Sequence, residues 1–241
     1  MERIIYDRME QLDSRHWWYR ARRRVLAALI ARRISLPPFA DILEIGCGTG
    51  HNLAMLAVFG RVDAIEVDGA ARGVAAARLG RDVGSSPLPD LTGVKDEAYD
   101  MIAILDVLEH IEDDRAALKS MARRLKPGGA ILIAVPAHPW LWSAHDVANH
   151  HHRRYTRRTL KAAVADAGLK ITYLSAINSL LFPLAVVSRL FDKMRGKEGS
   201  DDALPPAPVN GLFEMVFGWE AQLVGRVSLP IGVSLVAVVT A

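Results

Sequence analysis

Residues 42–50 read Ile-Leu-Glu-Ile-Gly-Cys-Gly-Thr-Gly, an apolar run holding one acid, followed by glycine at every second position. Residues 41–45 have the character of the end of a buried parallel strand. Gly46, Gly48 and Gly50 remove side chains at the turn into a helix, so a ligand can lie against bare backbone with amide N–H groups facing it. The spacing is G-x-G-x-G. The dinucleotide fingerprint G-x-G-x-x-G needs its third glycine at residue 51, and His51 stands there. That departure argues against a dinucleotide site.

The rest of the chain repeats the strand–helix alternation. Strands are expected over 41–45, 62–67, a short stretch near Val83, 99–105, 130–135, 170–174 and 232–240. Helices are expected over 53–59, 69–79, 113–125 and 156–167, with Gly60, Gly80, Pro127-Gly-Gly129 and Gly168 as stops and Thr156 as an N-cap. The 130–135 strand is apolar throughout, as when both faces of a sheet are covered. This predicts an α/β fold: a Rossmann-like, doubly wound, seven-stranded, mostly parallel sheet with helices on both faces and ligands at the carboxyl ends of the strands. Residues 179–227 break the alternation and read as a helical insertion before the last strand, with a Gly/Ser/Asp/Pro-rich linker over 196–208. Residues 1–35 form an N-terminal cap segment and residues 36–241 the main domain.

The 241 residues suit one large domain plus one insertion. One cysteine, Cys47, excludes a disulfide framework, and a reducing cytoplasm is the simplest location. Residues 1–11 are charged and lack a signal peptide's apolar core. The net charge of +3 is unevenly spread: residues 1–33 hold nine Arg against four acids, and residues 153–161 hold Arg153, Arg154, Arg157, Arg158 and Lys161. These patches are either solvated helix faces or a surface for an anionic substrate or lipid headgroup. No apolar segment reaches the roughly 18–20 residues needed to span a bilayer.

Glu66 ends the second strand, where a carboxylate can accept both hydrogen bonds of a ribose diol; Asp68 is the near alternative. Further on come Asp106-Val-Leu-Glu-His110, Leu125-Lys-Pro-Gly-Gly129 and Val135-Pro136. With the glycine turn and Glu44 before it, these stretches resemble the motifs of class I methyltransferases that use S-adenosylmethionine, in their bacterial small-molecule or lipid-precursor branch (type 11/23-like). The resemblance covers residues 41–136. It implies S-adenosyl-L-methionine as cofactor, held by Glu44, Gly46, Cys47, Gly48, Gly50, Glu66, Gly84, Ser85, Asp106 and Val107. Ser85 departs from the Asp found in many relatives.

Two other stretches resemble a bacterial subgroup of that superfamily: Pro136-Ala-His-Pro-Trp-Leu-Trp-Ser-Ala-His-Asp146 with His150-His-His-Arg-Arg-Tyr-Thr156, and His16-Trp-Trp-Tyr-Arg-Ala-Arg22. The 136–156 loop leaves the sheet at its carboxyl end, where a transferable methyl must sit. An oxygen or nitrogen acceptor must lose a proton, and imidazole suits that at neutral pH. His145, His150 and His110 are therefore the candidate catalytic groups; the same histidines could instead tie the loop to itself. Trp142, Asp146 and Tyr155 are candidate acceptor contacts. Trp17, Trp18 and Tyr19 either close over the site as an aromatic lid or pack a helix onto the core. The His and Asp density invites a metal, but the spacing matches no standard zinc pattern, and no metal ligands are assigned. The expected activity is methyl transfer to an oxygen, nitrogen or carbon of a small or lipid-like acceptor, with peripheral membrane contact as a further option for the insertion. A cofactor-binding module without catalysis and a nucleic-acid methyltransferase are the rivals. The second lacks the Asn-Pro-Pro-Tyr-type motif of base-flipping enzymes, and no nucleic-acid partner is expected.

Overall fold

The computed structural model describes residues 3–194 and 203–241. Two helices come first, α1 (Arg3–Leu12) and α2 (Trp17–Arg33). The alternation follows as β1 (Ala40–Ile45), α3 (Leu53–Leu56), β2 (Gly60–Ile65), α4 (Gly69–Leu79), β3 (Tyr99–Leu105), α5 (Asp114–Arg124) and β4 (Leu125–Pro136). Then come α6 (Ala144–Ala148), α7 (Arg157–Asp166), β5 (Lys170–Ile177), α8 (Phe182–Met194), α9 (Ala207–Trp219) and β6 (Ser234–Thr240). Local chemistry sets the helix ends. Asp68 caps α4 by accepting from the Ala70 and Ala71 amides, and Gly80 closes it in the left-handed region. Thr156 caps α7 in a reciprocal box with Thr159.

The sheet has six strands in the order β2-β1-β3-β4-β6-β5. β2, β1, β3 and β4 pair in parallel, and β6 is antiparallel to both its neighbours. The alternating side chains of the strands feed two separate cores. One face (Ile42, Val62, Met101, Leu132, Val236) packs under Val25, Leu26 and Leu29 of α2 and Phe217 of α9. The other (Leu43, Ile102, Ile131, Ile133, Val239) packs under Leu118 and Met121 of α5 and Leu160 and Val164 of α7. The result is the expected three-layer α/β arrangement.

The seventh strand, expected near Val83, is a single bridge. Gly84 donates to the Ala64 carbonyl at 2.8 Å and accepts from the Glu66 amide at 2.9 Å. Pro87 and Pro89 follow and cannot donate to a ladder, so pairing stops. The Lys-Pro-Gly-Gly stretch also differs from expectation. It is a bulge inside β4, because Tyr99 pairs with Leu125 and Met101 already pairs with Ala130. The expected linker over 196–208 lies, for residues 196–202, outside the described residues.

β1 lies between β2 and β3, so the chain winds away from it in both directions. That reversal opens a crevice at the carboxyl ends of β1 and β3, the ligand position of open α/β sheets.

Candidate active site

The glycine turn sits in this crevice. Gly46, Gly48 and Gly50 have φ of +70°, +56° and +83°. The Gly46 and Cys47 amides both donate to the Ile65 carbonyl, at 2.8 and 3.0 Å, which ties the turn to the end of β2. A Cβ at Gly46 would lie 2.5 Å from Cγ2 of Val107, so glycine lets the turn pass beneath the residue that follows Asp106. At Gly48 the nearest neighbours of such a Cβ come from α1: Sδ of Met9 at 3.5 Å and Cε1 of Tyr6 at 4.0 Å.

Glu66 is buried beside this turn. Its carboxylate accepts from the Gly48 amide at 2.7 Å and the Asp68 amide at 2.9 Å, and the Tyr6 hydroxyl lies 3.5 Å away. Burial, with the Glu66 charge next, pushes the Tyr6 hydroxyl well above its ordinary range. Asp68 is occupied by capping α4, which leaves Glu66 as the acid facing the crevice. Glu44 is buried in β1, and its Oε1 accepts from the Asn52 side chain at 2.8 Å. Desolvation raises its pKa to about 7. Burial, with Glu44 and Glu66 nearby, pushes the Cys47 thiol up. Asp106 sits at the end of β3 with φ of +57° and pairs at 2.7 Å with Arg22, a buried residue of α2. Ser85 is exposed next to Gly84. The structure thus brings the expected cofactor residues together at the carboxyl ends of three adjacent parallel strands.

Arg22 closes the 16–22 stretch noted in the sequence, but nothing there marks it as a site residue among the nine arginines of the first 33 residues. Its guanidinium lies 4.9 Å from the Trp18 ring centre, a cation–π contact. Many of the other arginines in the two basic clusters also have partners within the chain. Arg20 and Arg24 pair with Glu214; Arg32 and Arg33 donate to carbonyls of Val224 and Gly225. Arg153 pairs with Asp114, Arg154 with Asp146, and Arg157 donates to the Leu174 carbonyl within β5. These side chains hold segments together, while Arg8, Arg15, Arg158 and Lys161 are exposed.

The three aromatics expected to act together divide. Trp17 packs edge-on against Phe213 and Phe217 of α9. Trp18 lies under Arg22, and Tyr19 stands edge-on to His51 with 5.2 Å between ring centres. Burial lowers the His51 pKa to about 3.

On the acceptor side, Asp146 and Tyr155 are loop anchors. Asp146 is 0% exposed and accepts from His151 Nδ1 at 2.9 Å, Arg154 Nε at 2.7 Å and the Ser143 amide at 2.9 Å. Tyr155 is buried and donates to Asp114 at 2.8 Å. Both side chains are bonded within the chain, Asp146 to the 143–154 loop and Tyr155 to α5. Trp142 is exposed at the rim. His150 is exposed with φ of +54°, and this kink turns the chain so that His151 enters instead. His151 stands edge-on to His110 at 4.6 Å between ring centres and to His145 at 6.2 Å. Burial and the neighbouring His151 lower the His110 pKa to about 4. Sequence reasoning missed His151, as nothing in a run of three histidines distinguishes the middle one. It also missed Glu109, which is 0% exposed and whose carboxyl is driven up by burial and by Asp106.

A family model described as a methyltransferase domain matches residues 17–174. A probable S-adenosylmethionine-dependent methyltransferase of Mycobacterium tuberculosis is 28% identical over 171 residues, covering 69% of this chain and 59% of the relative. A ubiquinone biosynthesis O-methyltransferase of Xanthomonas campestris is 29% identical over 143 residues, covering 53% and 59%. The chain thus spans less than two thirds of the length of these relatives. Among solved structures, a chain from the complex of the Haloferax volcanii Trm112 methyltransferase activator with a methyltransferase superposes with a TM-score of 0.63 at 20% identity, over 98% of this chain and 94% of that one. The motifs at the strand ends and the family match over residues 17–174 agree, and the chain belongs to the methyltransferase-domain family of class I S-adenosylmethionine-dependent methyltransferases.

Proposed function

We propose that this protein is an S-adenosylmethionine-dependent methyltransferase acting on a small or lipid-like acceptor. One observation carries the reading: the buried Glu66 carboxylate, fixed by the Gly48 amide, opposite Asp106 across the glycine turn. Several buried polar atoms here have no hydrogen-bond partner, among them Glu44 Oε2, Thr49 Oγ1 and Arg22 Nε. They fit the cofactor's groups. Glu66 suits the ribose diol, Glu44 and Asp106 the ammonium, Arg22 the carboxylate, and Gly84 with Ser85 the adenine edge. Bound there, S-adenosylmethionine would supply an electrophilic methyl group on its sulfonium. The protein's work is alignment and removal of the acceptor's proton, with His145 as the base beside His151 and His110.

In this reading residues 1–35 form a cap, residues 36–241 the catalytic domain, and residues 179–227 its acceptor-side cover. Leu184, Val187 and Phe191 of α8, and Leu212, Met215 and Trp219 of α9, are exposed at helical spacing along one face of each helix. No helix among the described residues is long and apolar enough to cross a membrane. Such stripes suit an apolar acceptor presented at the inner face of a membrane to a cytoplasmic enzyme.

Calorimetric titration with S-adenosylmethionine and with NAD is the test. The methyl donor should bind and NAD should not, and Gly48→Val should abolish binding by filling the space over the turn. Binding of NAD with none of the methyl donor overturns the reading. Labelled methyl donor with fractionated lipid and aqueous extracts then identifies the acceptor class.

A further inference from the structure

We infer that Glu109, His110 and His151 form a binding site for a divalent first-row transition-metal ion on the acceptor side of the crevice. Glu109 and His110 lie on the 3₁₀ turn Leu108–His110, immediately after Asp106 and Val107 at the end of β3. His151 arrives from the loop after α6. The His152 amide donates to the Glu109 carbonyl at 2.8 Å and the His151 amide to the Asp146 carbonyl at 2.9 Å, which locks the two segments together. One ligand atom from each of the three side chains lies within 4.8 Å of the others. Ligands bound at about 2.1 Å around one ion sit roughly 3 to 4 Å apart, so modest side-chain rotation closes the site.

Three further observations point to an ion. First, Glu109 is 0% exposed and neither carboxylate oxygen has a hydrogen-bond partner. Its ion-pair contact among the described residues is His151 Nε2 at 4.0 Å. The nearby guanidiniums are committed elsewhere, Arg22 to Asp106 and Arg154 to Asp146. A buried carboxylate with no partner is costly, and a cation at this point relieves it. Second, His151 is oriented from behind. Asp146 holds Nδ1 of His151, leaving Nε2 toward Glu109. Metal-binding histidines carry this kind of outer partner, which fixes tautomer and ring direction. The His110 ring stands edge-on to that of His151, with 4.6 Å between centres. Third, two imidazoles and one carboxylate leave coordination positions open, the arrangement of a working ion rather than a structural one.

This inference rests on the methyltransferase reading of the same crevice and narrows it. An open ion beside Asp106 polarises an acceptor oxygen and lowers the pKa of its hydroxyl, so the acceptor is an alcohol, phenol or enol. Asp146 is then a positioning residue, acting through His151.

Metal-stripped, untagged full-length protein should be titrated with Co²⁺ and with Zn²⁺, read by visible ligand-field bands, calorimetry and melting temperature. Wild type should bind a single ion per chain and melt higher with it. Glu109→Gln keeps the shape, so without metal it should melt no lower than wild type, and it should lose both the bands and the metal-induced rise. His151→Gln should likewise lose the bands and the metal-induced rise. Asp146→Asn should weaken binding by roughly 10- to 100-fold. His150→Ala with His152→Ala, both at exposed positions, should leave binding intact. The inference is overturned if wild type binds no ion at micromolar metal, or if Glu109→Gln and His151→Gln bind as wild type does. Titration with S-adenosylmethionine in the same stripped protein separates the two readings: failed cofactor binding sinks the methyltransferase assignment, failed metal binding only this one.

Discussion

Replacing Glu66 by Gln tests the cofactor site at its most constrained point. The carboxylate now accepts from two backbone amides, Gly48 on one oxygen and Asp68 on the other. A carboxamide has one acceptor oxygen and one donor nitrogen, so either orientation sets an N–H against an N–H. One amide loses its partner, and any ribose hydroxyl loses a charged acceptor. Hydrogen bonds to charged groups contribute about 1.5–3 kcal/mol, and 1.4 kcal/mol is a factor of ten. Affinity for S-adenosylmethionine should therefore fall roughly ten- to a hundredfold. Calorimetry measures this directly, with the demethylated product as a second ligand that should weaken in parallel. A melting temperature lowered by several degrees with cofactor affinity within twofold of wild type would refute the argument, reducing Glu66 to a brace for the glycine turn.

Gly46→Ala should destabilise the protein, because its Cβ meets Val107 at 2.5 Å; adding Val107→Ala should recover the steric part and leave about 1 kcal/mol of left-handed backbone strain, readable in a denaturant double-mutant cycle. Asp146→Ala strands the buried Arg154, at a cost of about 3–5 kcal/mol, and should appear as a melting point lowered by roughly 6–20 °C. Glu44 and His51 give opposite pH dependences. Folding raises the Glu44 pKa from 4.5 to about 7, so the folded state holds the extra proton and its share of stability falls as pH rises through that interval. His51 is lowered from 6.5 to about 3, so the unfolded state holds the extra proton and that share rises with pH. Relative to wild type, Glu44→Gln should make stability climb more steeply between pH 4.5 and 6.5, and His51→Gln should make it climb less; equal slopes in all three proteins would exclude both effects. Met215→Asp with Phe191→Asp should abolish co-sedimentation with anionic vesicles while leaving the melting temperature nearly unchanged, since both side chains are at least half exposed.

What the sequence disclosed follows the range of the forces involved. The glycine turn, Glu66 and Asp106 belong to strand ends, where a few neighbouring residues decide the backbone, and all of them reach the crevice. The strand near Val83 fails for an equally local reason, since two prolines close together outweigh an apolar residue. The antiparallel β6 between β4 and β5 has no local signature, because an apolar run buried on both faces reads the same in either direction. The acceptor side was the least legible. His151 reaches the cluster only because the left-handed backbone at His150 turns the chain. Arg22 reaches Asp106 only because α2 packs across the sheet. Neither event is written in periodicity or spacing.

The contact of α1 with the glycine turn bears on kinetics as well as affinity. Tyr6 reaches Glu66 at 3.5 Å, the far limit of a hydrogen bond, and Met9 lies against the Gly48 position, so the helix rests on the turn through a weak latch. A latch worth about 1 kcal/mol keeps the turn open in roughly one molecule in six at 25 °C, and apparent affinity is reduced by that same fraction. Entry and exit then share one gate. Whatever slows the incoming methyl donor slows the departing demethylated product equally, and Tyr6→Phe should quicken both.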